Sequence, residues 1–270
     1  MKRCIPMEKP LTQMDIVDDL RRLGLERGAA VEVHSSLGRM GFVEGGAPTV
    51  INALMDVVGE EGAIVMSAYL VTLPLPLTDE EKKNGIIAKV RKLDENTDCR
   101  TGMGIIADTF CKLPGTYLGK GINRVCAWGR DAELHSHGYE YLLSVDGWVL
   151  LIGVDINRCS CMHTAEDKVG LPEELTAHFE LPEEIKQQYP KDEWYVQYSD
   201  PQKPLPVDAW GKVQVEAERR GLIRKGTIGK AECMLFKGRS VVDIYEEYLR
   251  TDPFELFGVG KKVNNSLCGG

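Results

Sequence analysis

The 270-residue sequence predicts an α/β protein, a single three-layer α/β/α domain built on a central mixed, largely parallel sheet. Three observations lead there. Segments with helical apolar spacing alternate along the chain with short strand-like apolar runs, the pattern of layered α/β domains. The first such unit reads strand, helix, strand, with a connection long enough for parallel pairing. Residues 148–154 form a continuous apolar run bounded by turn residues, as in a strand buried on both faces. No repeat and no clear linker divides residues 1–270.

Residues 12–27 read as a helix, with Thr12 able to cap, Asp15 at the third helical position, and Ile16, Val17, Leu20 and Leu23 at helical spacing. Residues 29–34 read as a strand that enters a loop containing Gly38, Gly41, Gly45 and Gly46. Pro48 opens a second helix with Val50, Leu54, Val57 and Val58 on one face. Gly62 stops it, and 63–69 is the next strand. Residues 71–100, with Pro74, Pro76 and the run Asp79-Glu80-Glu81-Lys82-Lys83, read as an irregular excursion over the surface. A helix over 104–113 ends at Pro114-Gly115, and a strand follows near 124–128. Further on, 195–198 is a short strand, 213–220 a helix, 232–236 a strand, 240–249 a final helix and 261–270 a frayed tail.

Composition narrows the function. The chain is 43% hydrophobic and 27% charged, within the ordinary globular range. Its net charge of −8 argues against a nucleic-acid partner. The charge-free run 147–154 is far shorter than the ~20 residues that cross a bilayer, and no apolar run follows the basic start Met1-Lys2-Arg3. A cytoplasmic protein with no membrane partner is therefore expected. The acidity concentrates in residues 166–193, where nine acids face three bases. Such a segment is either a solvated surface or a negative lip that attracts a cationic ligand.

Eight cysteines without an export signal are expected to be free thiols. Their one cluster, Cys159-Ser160-Cys161-Met162-His163, would place alternate residues on one face of a strand. A zinc site at Cys159, Cys161 and His163 would need further ligands, so small buried thiols beside a histidine are the expected outcome, with no metal. Gly102-Met103-Gly104-Ile105-Ile106-Ala107 matches a dinucleotide fingerprint, but polar loop rather than a buried strand precedes it. What survives is a loop feeding a helix N-terminus. Of five histidines, His135 and His137 read as surface residues of a polar turn, and His178 lies in the acidic segment. His34 ends a strand and begins the glycine loop, the edge where α/β proteins place ligands. His163 and Glu166 share a helical face at i and i+3, so the carboxylate could orient the imidazole and stabilise its cation.

Val33-His34-Ser35-Ser36-Leu37, then Gly45-Gly46-Ala47, resembles the opening of the aminoglycoside 3-N-acetyltransferases. The resemblance continues through Thr101-Gly102-Met103-Gly104, Ala127-Trp128-Gly129, His163-Thr164-Ala165-Glu166 and Gly226-Thr227-Ile228-Gly229-Lys230-Ala231, in order over most of 12–257. It implies a single-domain transferase using acetyl-CoA as co-substrate and acting on a cationic small-molecule amine, with antibiotic resistance as the associated role. It further implies that His163 is the catalytic base, with Glu166 beside it and His34 lining the site. Ser35 and Ser36 become candidate oxyanion donors through backbone or hydroxyl, and Ser35, Ser36, Leu37, Thr101, Gly102 and Met103 the expected CoA contacts. Glu166, Asp167, Glu173 and Glu174 become the expected substrate lip. Self-association as a homodimer is left open.

The chain departs from the family pattern at three places. Tyr117-Leu118-Gly119-Lys120-Gly121 stands where an Arg-Ser-x-His-Pro stretch is usual, Met66-Ser67 replaces Met-Pro, and Arg158-Cys159-Ser160-Cys161-Met162-His163 replaces Asn-Thr-Ser-Leu-His. Transfer to the 3-amino group of a 2-deoxystreptamine aminoglycoside in a ternary complex is the leading expectation. The alternatives are another amine acceptor, a zinc protein around Cys159, Cys161 and His163, and a CoA-binding protein without catalysis.

Overall fold

The structure, a computed structural model, describes residues 9–96, 101–177, 180–202 and 208–259. His178 and the tail 261–270 lie outside the described residues. Nine strands occur among them: β1 (Ala30–Ser35), β2 (Ala63–Ser67), β3 (Ile86–Arg91), β4 (Tyr117–Leu118), β5 (Val125–Gly129), β6 (Trp148–Ile152), β7 (Trp194–Tyr198), β8 (Arg224–Ile228) and β9 (Ala231–Lys237). Seven form a mixed sheet in the order β4-β5-β2-β1-β6-β9-β8. The centre β2-β1-β6 is parallel and both flanks are antiparallel, so β1, β2, β4, β6 and β8 run one way.

The period of two along each central strand divides the core into two layers. Val31, Val33, Leu150 and Ile152 join the helices Gln13–Leu23, Ala47–Val58 and Ile105–Phe110 on one face. Ala30, Val65, Val149 and Leu151 join the helices His163–Val169, Ala209–Arg219 and Gly238–Thr251 on the other. Fully buried side chains such as Leu20, Leu54 and Phe236 each contribute roughly 1.5–3 kcal/mol by leaving water. The first helix carries the expected capping box, Thr12 with Asp15. It ends at Leu23, short of residue 27, because Gly24 turns left-handed at φ 102° and closes the last turn.

Residues 71–96, the described part of this excursion, are more ordered than expected. They hold a short helix, Asp79–Lys83, and β3, which pairs antiparallel with β7 in a separate two-stranded sheet. Ile86, Ile185 and Tyr198 form a small apolar cluster there, backed by Leu77, Leu181, Tyr189 and Val196. Part of the acidic segment thus folds onto the excursion. Glu81 joins the two halves, accepting from Lys89, the Tyr189 hydroxyl and the Thr78 amide. Those donors hold its carboxyl down at about 2, Lys89 contributing most. The bond therefore stabilises the lobe above the usual carboxylate range and is lost as the pH falls through about 2. Exchange of Glu81 for Gln should speed amide hydrogen exchange in 75–91 and 180–198 while the seven-stranded sheet keeps its protection. Uniform loosening of both sheets would contradict a local staple.

Candidate active site

The sheet face that carries Ala30 also carries Glu32 and His34, because β1 alternates. His34 is held by Glu32, its Nε2 lying 2.6 Å from Glu32 Oε1. The same oxygen accepts the Cys161 amide at 3.2 Å, and the Ser160 amide lies 3.4 Å from His34 Nε2. The 2.6 Å contact is the shorter of the two at Nε2 and fits an Nε2–H that donates to Glu32 Oε1. Ser160–Met162 is a single 3-10 turn that leads directly into the helix His163–Val169. Cys159 and Cys161 therefore lie on turns rather than on a strand. Both are buried free thiols with sulfurs 3.5 Å apart. Burial holds the Cys159 thiol above its ordinary range, and the contact with Cys159, burial and the Glu32 charge hold Cys161 well above it.

His163 and Glu166 do meet. His163 Nδ1 lies 3.0 Å from Glu166 Oε2, and the His163 side chain is 55% exposed. Glu166 is gripped from two further helices, by the Tyr245 hydroxyl at 2.7 Å and by the Trp210 indole. Trp210 also packs edge-on against the His163 ring at 4.9 Å. Burial opposes the Glu166 charge, but hydrogen bonds from His163, Tyr245 and Trp210 win and lower its pKa. The Glu166 bond, opposed by burial and aided by the charges of Glu166, Asp167 and Glu32, raises the His163 pKa. With Nδ1–H committed to Glu166, Nε2 carries the lone pair and has no partner among the described residues. That is the arrangement of a positioned general base.

Of the expected cofactor residues, Ser35, Ser36 and Leu37 lie at and just beyond the end of β1, and Thr101, Gly102 and Met103 lead into the helix Ile105–Phe110. Thr101 is buried and donates from amide and hydroxyl to Asp108, at 3.2 and 2.7 Å. Gly102 is pinned by its amide to the Val71 carbonyl, so that a Cβ there would meet the Thr72 carbonyl at 2.9 Å. Gly104, at φ 93°, lies against the Ser35 carbonyl, and Met103 and Leu37 pack on the same core face. The Ser36 amide is spent on the Ile152 carbonyl at 2.9 Å, which removes it as an oxyanion donor. The Ser35 and Ser36 hydroxyls remain without partners among the described residues. Asp167, Glu173 and Glu174 are exposed and make no ion pair there, whereas Glu180 and Glu183 are compensated by Lys186. Among the described residues, no hydrogen bond or ion pair joins Glu173 or Glu174 to His163.

Two sequence readings fail. The metal-ligand atoms that cluster among the described residues belong to Glu32, Cys159 and Cys161, and His163 is outside that group because its ring turns to Glu166 and Trp210. His135 is buried rather than at the surface, packed edge-on against Tyr141 at 4.8 Å, while His137 is exposed. Sequence reasoning also passes over Glu32, Tyr139, Trp210 and Tyr245, and names Ser67 and Ser160 only as departures from the family pattern. Ser67 bonds Tyr139 at 2.6 Å and Ser160 at 3.0 Å, so two of the three family departures touch.

Residues 33–250 match the model of the aminoglycoside 3-N-acetyltransferase family. The chain belongs to this family. Membership makes it an acyltransferase. The aminoglycoside N(3')-acetyltransferase-like protein YokD of Bacillus subtilis is 30% identical, the match covering 88% of this chain and 92% of YokD. Among solved structures, AAC-IIIb with CoASH superposes with a TM-score of 0.65 at 22% identity, covering 94% of this chain and all of that one. A variant of AAC(3)-IVa in complex with a gentamicin gives 0.68 at 19% identity, covering 94% and 93%. These two likenesses establish the shared mixed-sheet fold. Among the described residues, no helix is long and apolar enough to cross a membrane.

Because the raised His163 pKa comes first from the bond to Glu166, Glu166→Gln should bring the imidazole midpoint down toward an ordinary histidine. A histidine-selective NMR titration reads this directly. An unmoved midpoint would mean that the pair does not set the charge of His163.

Proposed function

We propose that the chain transfers acetyl from acetyl-CoA to the 3-amino group of a 2-deoxystreptamine aminoglycoside, directly and within a ternary complex. The observation that carries this is the half-exposed His163, with one nitrogen locked to Glu166 and the other unpaired among the described residues. An ammonium must lose a proton before its nitrogen can attack a thioester, and a tuned histidine suits that task. Nε2 of His163 takes the proton, and Glu166 stabilises the resulting imidazolium. The amine nitrogen bonds to the acetyl carbon, the thioester C–S bond breaks, and the departing CoA thiolate takes the nitrogen's remaining extra proton to leave the neutral amide and CoA thiol. The Ser35 and Ser36 hydroxyls are the groups placed to donate to the tetrahedral oxygen.

The neighbours bound to CoASH and to a gentamicin support the two ligand classes. A cleft of roughly 970 Å³ opens at Arg39, just beyond the Ser35–Leu37 loop, and is lined also by Lys225, Thr227 and Lys230. Its three cations suit the phosphates of CoA, although Asp155 and Glu232 line it too and Lys225 is shared with Glu218 at 2.9 Å. Asp167, Glu173 and Glu174, without an ion-pair partner among the described residues, present charge suited to a polycation. The sequestered Cys161, with its thiol held protonated, argues against an acyl-enzyme. A second reading keeps acetyl-CoA and changes the amine. It is favoured by the Ser67–Tyr139–Ser160 cluster, which stands where this chain departs from its family.

Thiol release from acetyl-CoA with gentamicin, kanamycin, neomycin and simple amines decides between the readings. His163→Ala should cost about 10²–10⁴-fold in turnover while CoA binding stays within a few fold. Equal turnover in the variant would remove His163 from the chemistry. Cys161→Ala should keep transfer active, and mass spectrometry of quenched wild-type enzyme should find no acetylated residue. A trapped acetyl group would refute direct transfer.

A further inference from the structure

Glu32 stands on the central strand of the sheet and is fully buried. Its lateral neighbours on β2 and β6 are Val65 and Val149, the residues an apolar layer calls for. No lysine or arginine pairs with it among the described residues, and its one ion-pair partner there is His34. Oε1 serves both His34 and the Cys161 amide, while Oε2 is buried with no partner among them. A carboxylate so placed is costly to the fold, so its use lies in what it holds.

We infer that Glu32 is a positioning residue for acetyl transfer, one carboxylate oxygen tying His34 of β1 to the Ser160–Met162 turn that aims His163. The inference rests on the reading of His163 as the base. No side chain caps the His163–Val169 helix, so its first turn is oriented by what holds residues 160–162. Among the bonds that do that, the Cys161 amide to Glu32 ties the turn to β1, the Ser160 hydroxyl meets Ser67 at 3.0 Å, the Ser160 amide lies 3.4 Å from His34 Nε2, and the Thr164 hydroxyl holds the Cys161 carbonyl at 2.7 Å. The groups facing His163 are Glu166 and Asp167 on its own helix, Glu32 from β1, and the Trp210 and Tyr245 side chains from the two packed helices. Glu32 is thus a carboxylate from outside the helix whose charge favours the imidazolium. It acts on the base in both position and charge.

Glu32→Gln and Glu32→Asp separate these effects, assayed with acetyl-CoA and an aminoglycoside that the wild type turns over. Glu32→Gln should lower kcat about tenfold or more, since small misplacements of a base carry such costs, and leave KM for acetyl-CoA within about threefold. The acid limb of its kcat/KM profile should move to lower pH, because the imidazolium loses a supporting charge. Glu32→Asp keeps the charge but withdraws from Cys161, so it should lose turnover with the limb in place. A folded Glu32→Gln enzyme with wild-type kcat and acid limb overturns the inference. If neither variant folds, nitrogen-15 NMR of wild-type His34 decides: a retained, hydrogen-bonded Nε2 proton is expected, and a freely exchanging one contradicts the tie. Silence of the wild type with every acceptor would count against the acetyl-transfer reading alone, because the NMR experiment reads the tie without turnover.

Discussion

The strict alternation of β1 between two buried faces is the constraint on which the site depends. Val31 and Val33 must face the helices Gln13–Leu23 and Ala47–Val58, which forces Glu32 and His34 to the opposite layer. That layer is where the His163–Val169 helix packs. A register slip of one residue would bury Glu32 and His34 among the leucines and valines of the first layer and dismantle the site. The parallel pairing of β1 with β2 and β6 fixes the register from both sides.

The second requirement is electrostatic. An imidazole that is half exposed would ordinarily reorient freely, and here it is restrained by a carboxylate that is itself restrained. Glu166 receives His163, Tyr245 and Trp210 from three helices, so the orientation of the His163 imidazole is set by the packing of the whole layer. Each restraint is charge-assisted and partly shielded from water, where such bonds are strongest. The cost falls on Tyr245, whose hydroxyl is held from ionising by burial and by the Glu166 charge.

Much of this is legible in the sequence, and the gaps have physical reasons. The order of the central elements follows from apolar periodicity, and His34, His163 and Glu166 follow from a strand edge and from i, i+3 spacing. Glu32 can be read from period two, since it is two residues before His34 on the same strand face. Tyr245 and Trp210 carry no signal, because Tyr245 reaches Glu166 across 79 residues. β8 escapes sequence reasoning because Arg224, Lys225 and Thr227 face solvent on a sheet edge and show no apolar alternation. β7 is legible as a strand over 195–198, but β3 reads as irregular because its partner is distant in sequence, as the Glu81–Tyr189 bond across 108 residues shows. His135 reads as a surface residue because its turn is polar in sequence, yet Tyr141 roofs it over in space.

Direct transfer requires that both ligands occupy the site before any bond changes. Initial-rate kinetics with acetyl-CoA and an accepted aminoglycoside varied together test that requirement most directly. Double-reciprocal lines that intersect are the result this account predicts. Parallel lines, the mark of a double displacement through an acetylated enzyme, would contradict it.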